Sequence, residues 1–253
     1  MSMRKIMLIC GLISLFVNQA HAQLADSTKQ NKNVLKINLL SLPFNNLHVQ
    51  YERQIGEKMS VALGFRYMPE GNIPLKSTVL DLIDDPDATK HLTNLKTGNF
   101  AVTPEVRFYL GKAALKGFYI APFARYSRYT ASLPFDFTVE DDMGGEYNEV
   151  IPLEGKLTTI TGGLLLGSQF RLGKMVTLDW WILGPQYGSS KGNVAGRKNL
   201  SPEEQQELRD QLNDITDLPL VKVTTKVDGN GADVDIKGPW AGVRAGLALG
   251  IRF

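Results

Sequence analysis

The stretch Ala241-Gly242-Val243-Arg244-Ala245-Gly246-Leu247-Ala248-Leu249-Gly250-Ile251-Arg252-Phe253 alternates with a period of two. Ala241, Val243, Ala245, Leu247, Leu249, Ile251 and Phe253 share one face, and Gly242, Arg244, Gly246, Ala248, Gly250 and Arg252 share the other. Successive side chains of an extended chain point to opposite faces, so this pattern marks a strand with two different environments. One face suits lipid. The other is small or charged and suits a polar interior.

Working outward, the same pattern recurs. Leu47, Val49, Tyr51 and Ile55 alternate with His48, Gln50, Glu52 and Gln54. A Gly56-Glu57-Lys58 turn follows, and Met59, Val61, Leu63, Phe65 and Tyr67 then alternate with Ser60, Ala62, Gly64 and Arg66, which makes a hairpin. Strands are expected at 34–42, 46–55, 59–68, 100–110, 117–130, 156–172, 175–187 and 239–253. Most reach the ~9–11 residues that a tilted membrane strand needs. The links at 56–58, 111–116 and 173–174 are short, those at 69–99, 131–155 and 188–238 are long, and a Pro43-Phe44-Asn45 turn follows the first strand. The predicted fold is all-β: an eight-stranded antiparallel up-and-down transmembrane β-barrel with short periplasmic turns and long extracellular loops. Pro104 and Pro122 fall inside strands and are read as bulges, because a closed barrel has no edge to hold them.

The N-terminus carries Arg4 and Lys5, then an apolar run from Ile6 to Val17, then Ala20-His21-Ala22. That order is a secretory signal peptide with a cleavage site after Ala22. The chain divides into a signal peptide at 1–22, a periplasmic N-terminal segment at 23–33 and a barrel at 34–253. Cys10 lies inside the signal, so the mature chain has neither disulfide nor thiolate chemistry. The formal charge of +2 belongs to Arg4 and Lys5. The mature chain is neutral overall, which argues against nucleic acid as a partner.

The C-terminal alternation ending in Phe253 resembles the signal by which the barrel assembly machinery recognises outer-membrane proteins. The mature chain resembles small barrels of the OmpA and OmpX kind. It is more specifically similar to uncharacterised outer-membrane β-barrels of Bacteroidota, in Val34 to Leu42, Pro104 to Gly111, Gly117 to Phe123 and Asp179 to Pro185. The resemblance implies a cell outer membrane location, outer-membrane lipid as surroundings and the assembly machinery as a partner through the strand ending at Phe253. It implies no activity.

Glu52, Arg66, Glu105, Arg107, Arg125, Asp179 and Arg244 are expected on the interior face. An eight-stranded barrel is just wide enough for side chains to fill, so these charges should pair across the lumen and plug it. Phe65, Tyr67, Phe100, Phe108, Tyr109, Phe118, Tyr119, Trp180, Trp181 and Trp240 are expected in aromatic girdles. His48 and Glu52 share a face, but four strand residues separate them by ~13 Å, too far for a direct dyad. His91 sits in a loop. No zinc cluster, phosphate loop or dinucleotide fingerprint occurs. No catalytic residue and no cofactor are assigned.

Ser201-Pro202-Glu203-Glu204 is a capping box that opens a helix through Leu208, Leu212 and Ile215, with Pro219 as its stop. Link 131–155 has seven acidic residues and none basic. Within it, Asp141, Asp142 and Glu146 are weak candidates for calcium, which prefers carboxylate oxygens. The expected function is a non-enzymatic integral outer-membrane protein with acidic loops and a structural or interaction role. Two alternatives stay open: a rim-located enzyme modifying envelope lipid, and a soluble periplasmic barrel binding an apolar ligand.

Overall fold

The computed structural model describes residues 31–76, 93–140, 145–213 and 221–253. One antiparallel sheet dominates. Its strands are β1 (Asn33–Asn38), β2 (Leu47–Gln54), β3 (Met59–Asn72), β4 (Lys96–Tyr109), β5 (Gly117–Glu140), β6 (Glu146–Arg171), β7 (Val176–Arg197), β8 (Lys222–Asp228) and β9 (Gly231–Arg252). Neighbours follow chain order from β1 to β7, β9 comes next, and β9 pairs back with β1, so the up-and-down sheet closes into a ring. Among the described residues, eight of these strands make the ring, β1 to β7 and β9. The ninth, β8, pairs only with the start of β9 (Lys222↔Lys237 to Asp228↔Gly231). No helix among the described residues is long and apolar enough to cross a membrane.

The ring has a turn end and a loop end. At the turn end lie the tight β2–β3, β4–β5 and β6–β7 links. At the loop end β5 and β6 run on together from Gly117↔Gln169 to Glu140↔Glu146 without a register shift. The expected acidic loop at 131–155 is therefore largely a strand pair. Phe135, Phe137 and Val139 alternate with Asp136, Thr138 and Glu140, and such residues favour strands despite the high acidic content. Likewise β7 reaches Arg197 against Gly231, so much of the expected loop 188–238 is strand. Its remainder holds β8 and the helix α1 (Pro202–Asn213).

The capping box forms as expected. Glu204 N–H donates to Ser201 Oγ (3.2 Å), and Ser201 N–H donates to Glu204 Oε2 (2.6 Å). Leu208 of α1 is buried with Ile151, Leu200, Val227 and Ala232, and Leu212 packs beside them, giving the loop end its own small core. Ile215 and Pro219 lie outside the described residues.

The first strand is shorter than expected. It stops at Asn38, whose side chain accepts a hydrogen bond from Leu40 N–H (3.0 Å) and starts a 3₁₀ segment, Leu39–Phe44. Pro43 cannot extend a strand pair, and Asn45 turns the chain in the left-handed region at φ 52°. Register shifts lie at Met68/Gly71, Leu166/Gly167 and Trp181/Gly184. Pro104 and Pro122 are not bulges. Both point outward at the β4–β5 seam, where the ladder skips pairs on either side of Glu105↔Phe123 and resumes on the same register.

Alternation sorts the side chains as the C-terminal strand predicted. On β9, Val243, Leu249, Ile251 and Phe253 are exposed outside, while Arg244, Ala248 and Arg252 are buried inside. Leu35, Leu63, Phe65, Phe108, Leu166 and Leu183 are likewise exposed outside, and Lys36, Gln50, Glu52, Glu105, Arg107 and Asp179 are buried inside. The ring is apolar outside and charged inside.

Candidate functional site

The interior divides into two levels. Near the turn end, β1 brings Lys36 inward, β2 Gln50 and Glu52, β4 Glu105 and Arg107, β7 Asp179, and β9 Arg244. All are at least 95% buried. Lys36 Nζ is hydrogen-bonded to Glu52 Oε2 and donates to Asp179 Oδ2 (2.5 Å). Arg107 donates from Nη1 to Asp179 Oδ2 (2.6 Å), from Nε to Glu105 Oε1 (2.7 Å) and from Nη2 to Gln50 Oε1 (2.8 Å). Arg244 Nη1 reaches the far oxygen, Glu105 Oε2 (3.2 Å). The hydroxyls of Tyr109 and Tyr119 donate to Glu52 Oε1 (2.6 Å) and Asp179 Oδ1 (2.8 Å), and Trp181 Nε1 donates to Asp179 Oδ2 (3.1 Å).

Three cations, Lys36, Arg107 and Arg244, thus face three carboxylates, Glu52, Glu105 and Asp179. Burying an ion without a partner costs several kcal/mol, so a charge-balanced and hydrogen-bonded set is the form in which such residues persist inside a protein. Space for them comes from small residues opposite. A Cβ built on Gly167 would lie 2.4 Å from the Tyr119 ring, and one on Gly250 would lie 2.8 Å from Lys36 Cγ. Below this level Leu115 and Ala114, from the β4–β5 link, are buried against Val34 and Tyr109.

The second level lies toward the loop end and is built differently. Arg66 of β3 and Arg125 of β5 point inward beside Arg244, and no carboxylate pairs with either among the described residues. Arg125 Nε donates only to Ser127 Oγ (3.0 Å). His48 packs on Trp181 with ring centroids 4.9 Å apart, and Arg244 stacks over Phe123 at 4.5 Å. His48 Nε2, Arg66 Nε and Arg244 Nη2 are buried without a hydrogen-bond partner. His48, Arg66, Arg125, Trp181 and Arg244 line a cavity of about 260 Å³.

All seven ionisable residues expected inside do point inside. Glu52, Glu105, Arg107, Asp179 and Arg244 meet in the lower network, and Arg66 and Arg125 stand above it. His48 and Glu52 do not hydrogen-bond to each other. Three residues expected in girdles, Tyr109, Tyr119 and Trp181, are buried in the network instead, and Trp240 is half-buried against Tyr129 with ring centroids 5.6 Å apart. Phe65, Tyr67, Phe100, Phe108, Phe118 and Trp180 are exposed outside as expected. Lys36 and Gln169 were missed, although Leu35-Lys36-Ile37-Asn38 carries the same alternation that exposed the rest. Asp141, Asp142 and His91 lie outside the described residues, and of Glu146 only the backbone is described. Among described residues no cluster fit to hold a metal occurs. Among the described residues of the acidic link, Glu149 pairs with Lys198, which also approaches Glu204 (3.5 Å), and Ser132 Oγ donates to Glu70 Oε1 (2.9 Å).

Residues 7–191 match the family described as protein of unknown function, DUF3575. No curated protein matches the chain. The translocator domain of autotransporter NalP from Neisseria meningitidis aligns over 98% of both chains, at 10% identity and a TM-score of 0.34.

Proposed function

From the chain's place in the DUF3575 family, to which it belongs and which is described only by its unknown function, we propose a reading that starts from the side chains: this is a non-enzymatic integral outer-membrane β-barrel. The observation that carries it is the inverted ring, exposed Leu, Val, Ile and Phe outside and buried Lys, Arg, Glu and Asp inside. A soluble barrel would need the opposite, because a continuous apolar belt in water drives association. In lipid the arrangement is stable, since every strand of the ring is paired and only closed sheets and helices satisfy the backbone there. Eight strands, β1 to β7 and β9, cross the membrane. The outward run from Ala241 to Phe253 is long enough, when tilted, for the apolar band of about 25 Å that such barrels present.

In this reading the turn end faces the periplasm and the loop end faces outward, carrying the β5–β6 and β7–β9 extensions, β8 and α1 as an interaction surface. The lower network and Leu115 plug the lumen, so the protein conducts no large ion flux. The assembly machinery engages β9. Phe253, whose N–H and C=O both pair with Asn33 (3.0 Å each), closes the ring.

Cell fractionation followed by gel electrophoresis with and without boiling tests this. The protein is expected in the outer-membrane fraction, with a folded band that shifts on boiling, and Phe253→Asp is expected to reduce insertion sharply. Pure protein in planar bilayers should give no porin-sized current. Recovery as a soluble periplasmic protein, or a stable large conductance, would overturn the proposal.

A further inference from the structure

The wall of the ring is incomplete beside the cationic cavity. One edge of β9 is covered by β7 along nearly its whole length. The opposite edge carries β1 at 248–252 and β8 at 231–237, and no described strand pairs with it between. The cause is the early end of β1: the 3₁₀ segment folds across at this height and packs on β9 without hydrogen-bonding to it as a strand. The cavity of about 260 Å³ lies at this place. Its inner side is formed by His48, Arg66, Arg125 and Arg244. Its outer lip is formed by Leu40, Phe44 and Val243, which are 55%, 46% and 65% exposed on the apolar surface of the ring.

We propose that this gap is a binding site for an anionic amphiphile of the surrounding membrane, whose oxyanion head enters the cavity from the side and whose chain lies on Leu40, Phe44 and Val243. The inference rests on the membrane reading above.

Three features of the interior point to an oxyanion. The lower network is already neutral without Arg66 and Arg125, so these two guanidinium groups are surplus positive charge in a confined space. Polar atoms there lack partners: the donors Arg66 Nε and Arg244 Nη2 are buried and unpartnered, as are His48 Nε2 and one acceptor, Asn46 Oδ1. Guanidinium forks match the geometry of phosphate or carboxylate oxygens and bind them by charge-assisted hydrogen bonds. The amphiphilic part of the assignment comes from the lip. A free ion has no use for an opening framed by exposed Leu, Phe and Val, whereas an acyl chain beside the barrel already lies against them.

The test uses the folded mature protein in neutral detergent, with native mass spectrometry of added dimyristoyl phosphatidylglycerol, dimyristoyl phosphatidylcholine and inorganic phosphate. Phosphatidylglycerol is expected to form a one-to-one adduct at least about tenfold tighter than phosphatidylcholine, the factor one charge-assisted contact supplies. R66Q/R125Q should lose that preference, while K191Q, on the exposed outer hairpin, should keep it. Leu40→Asn should weaken the phosphatidylglycerol adduct and leave phosphate binding unchanged. Equal binding of the two lipids, or full retention in R66Q/R125Q, would overturn the site. Phosphate binding as tightly as phosphatidylglycerol would overturn the amphiphile in favour of a free anion. Boiling shifts of the same samples keep the two readings apart. A shifted wild type without an adduct sinks only this inference, and an unshifted one sinks the barrel with it.

Discussion

At the turn end of the interior, three cations and three carboxylates are locked into one neutral set. One level up, Arg66 and Arg125 face a cavity and pair with no carboxylate among the described residues. Both levels belong to the same strands and the same lumen, so fold alone does not explain the difference. Below, each charge is answered by a neighbour in the chain. Above, the guanidinium groups gather without a carboxylate beside them among the described residues. The lower level is balanced within itself and the upper is rich in cations, a difference that mutation can separate.

The largest effect should come from Arg107→Met. It leaves Glu105, Asp179 and Glu52 short of a cation in the interior, and removing one partner of such a set costs about 3–5 kcal/mol. Guanidinium unfolding of protein in lipid vesicles, followed by tryptophan fluorescence, measures it. A loss under about 1 kcal/mol would mean that water reaches the network and that the two levels are alike. Gly167→Val comes next. Its Cβ would sit 2.4 Å from the Tyr119 ring, and forcing such a contact costs about 1–3 kcal/mol. The same titration reads it, and Tyr119→Phe would relieve it only in part, because the ring carbon Cζ (2.4 Å) and the Trp180 carbonyl (2.9 Å) stay in the way.

Arg125→Gln should cost less than about 1 kcal/mol, or even stabilise, because it orphans no carboxylate. An effect matching that of Arg107→Met would erase the contrast between the levels.

The smallest effect lies at the loop end. The hydrogen bond from Lys198 holds the Glu149 carboxyl below the usual carboxylate range. Partial burial works to lower Lys198, but Glu149 and Glu204 together raise it above its ordinary value. A lowered folded carboxylate contributes above its unfolded value and is lost as pH falls through the folded one. A raised folded lysine contributes below its unfolded value and is lost as pH rises through the folded one. The contact should therefore hold through neutral pH, weaken only below the ordinary glutamate value of about 4.3, and fail again above about 10.4. Amide exchange around Leu200, corrected for intrinsic rates and compared with Lys198→Met, should show protection at pH 6 that converges with the variant in acid. Equal protection in both at pH 6 would remove the pair from the account.

The sheet was legible because its two environments are so unlike that alternation survives in short windows, as from Leu47 to Tyr67 and from Ala241 to Phe253. Where acidic and small residues dilute the apolar positions the signal fades, which is why the upper parts of β5, β6 and β7 read as loops although Ile151 there is buried. The aromatic errors have a simpler origin. Phe108-Tyr109, Phe118-Tyr119 and Trp180-Trp181 are adjacent pairs, and neighbours in a strand cannot share a face. One of each belongs outside and one inside, and in all three the first is exposed and the second buried. The cavity was not legible. It depends on β1 ending at Asn38, four residues before the end expected from the turn at Pro43.

That early ending bears on how the ring comes together. Most seams join consecutive strands through hairpins, contacts that a chain forms quickly. The β1–β9 seam joins residues more than two hundred positions apart through only the register from Val34↔Arg252 to Asn38↔Ala248. Its closure carries the greatest loss of chain entropy for the fewest paired residues. The seam is the clasp of the ring: last to fasten during assembly and first to part under load, with the cavity at its upper end.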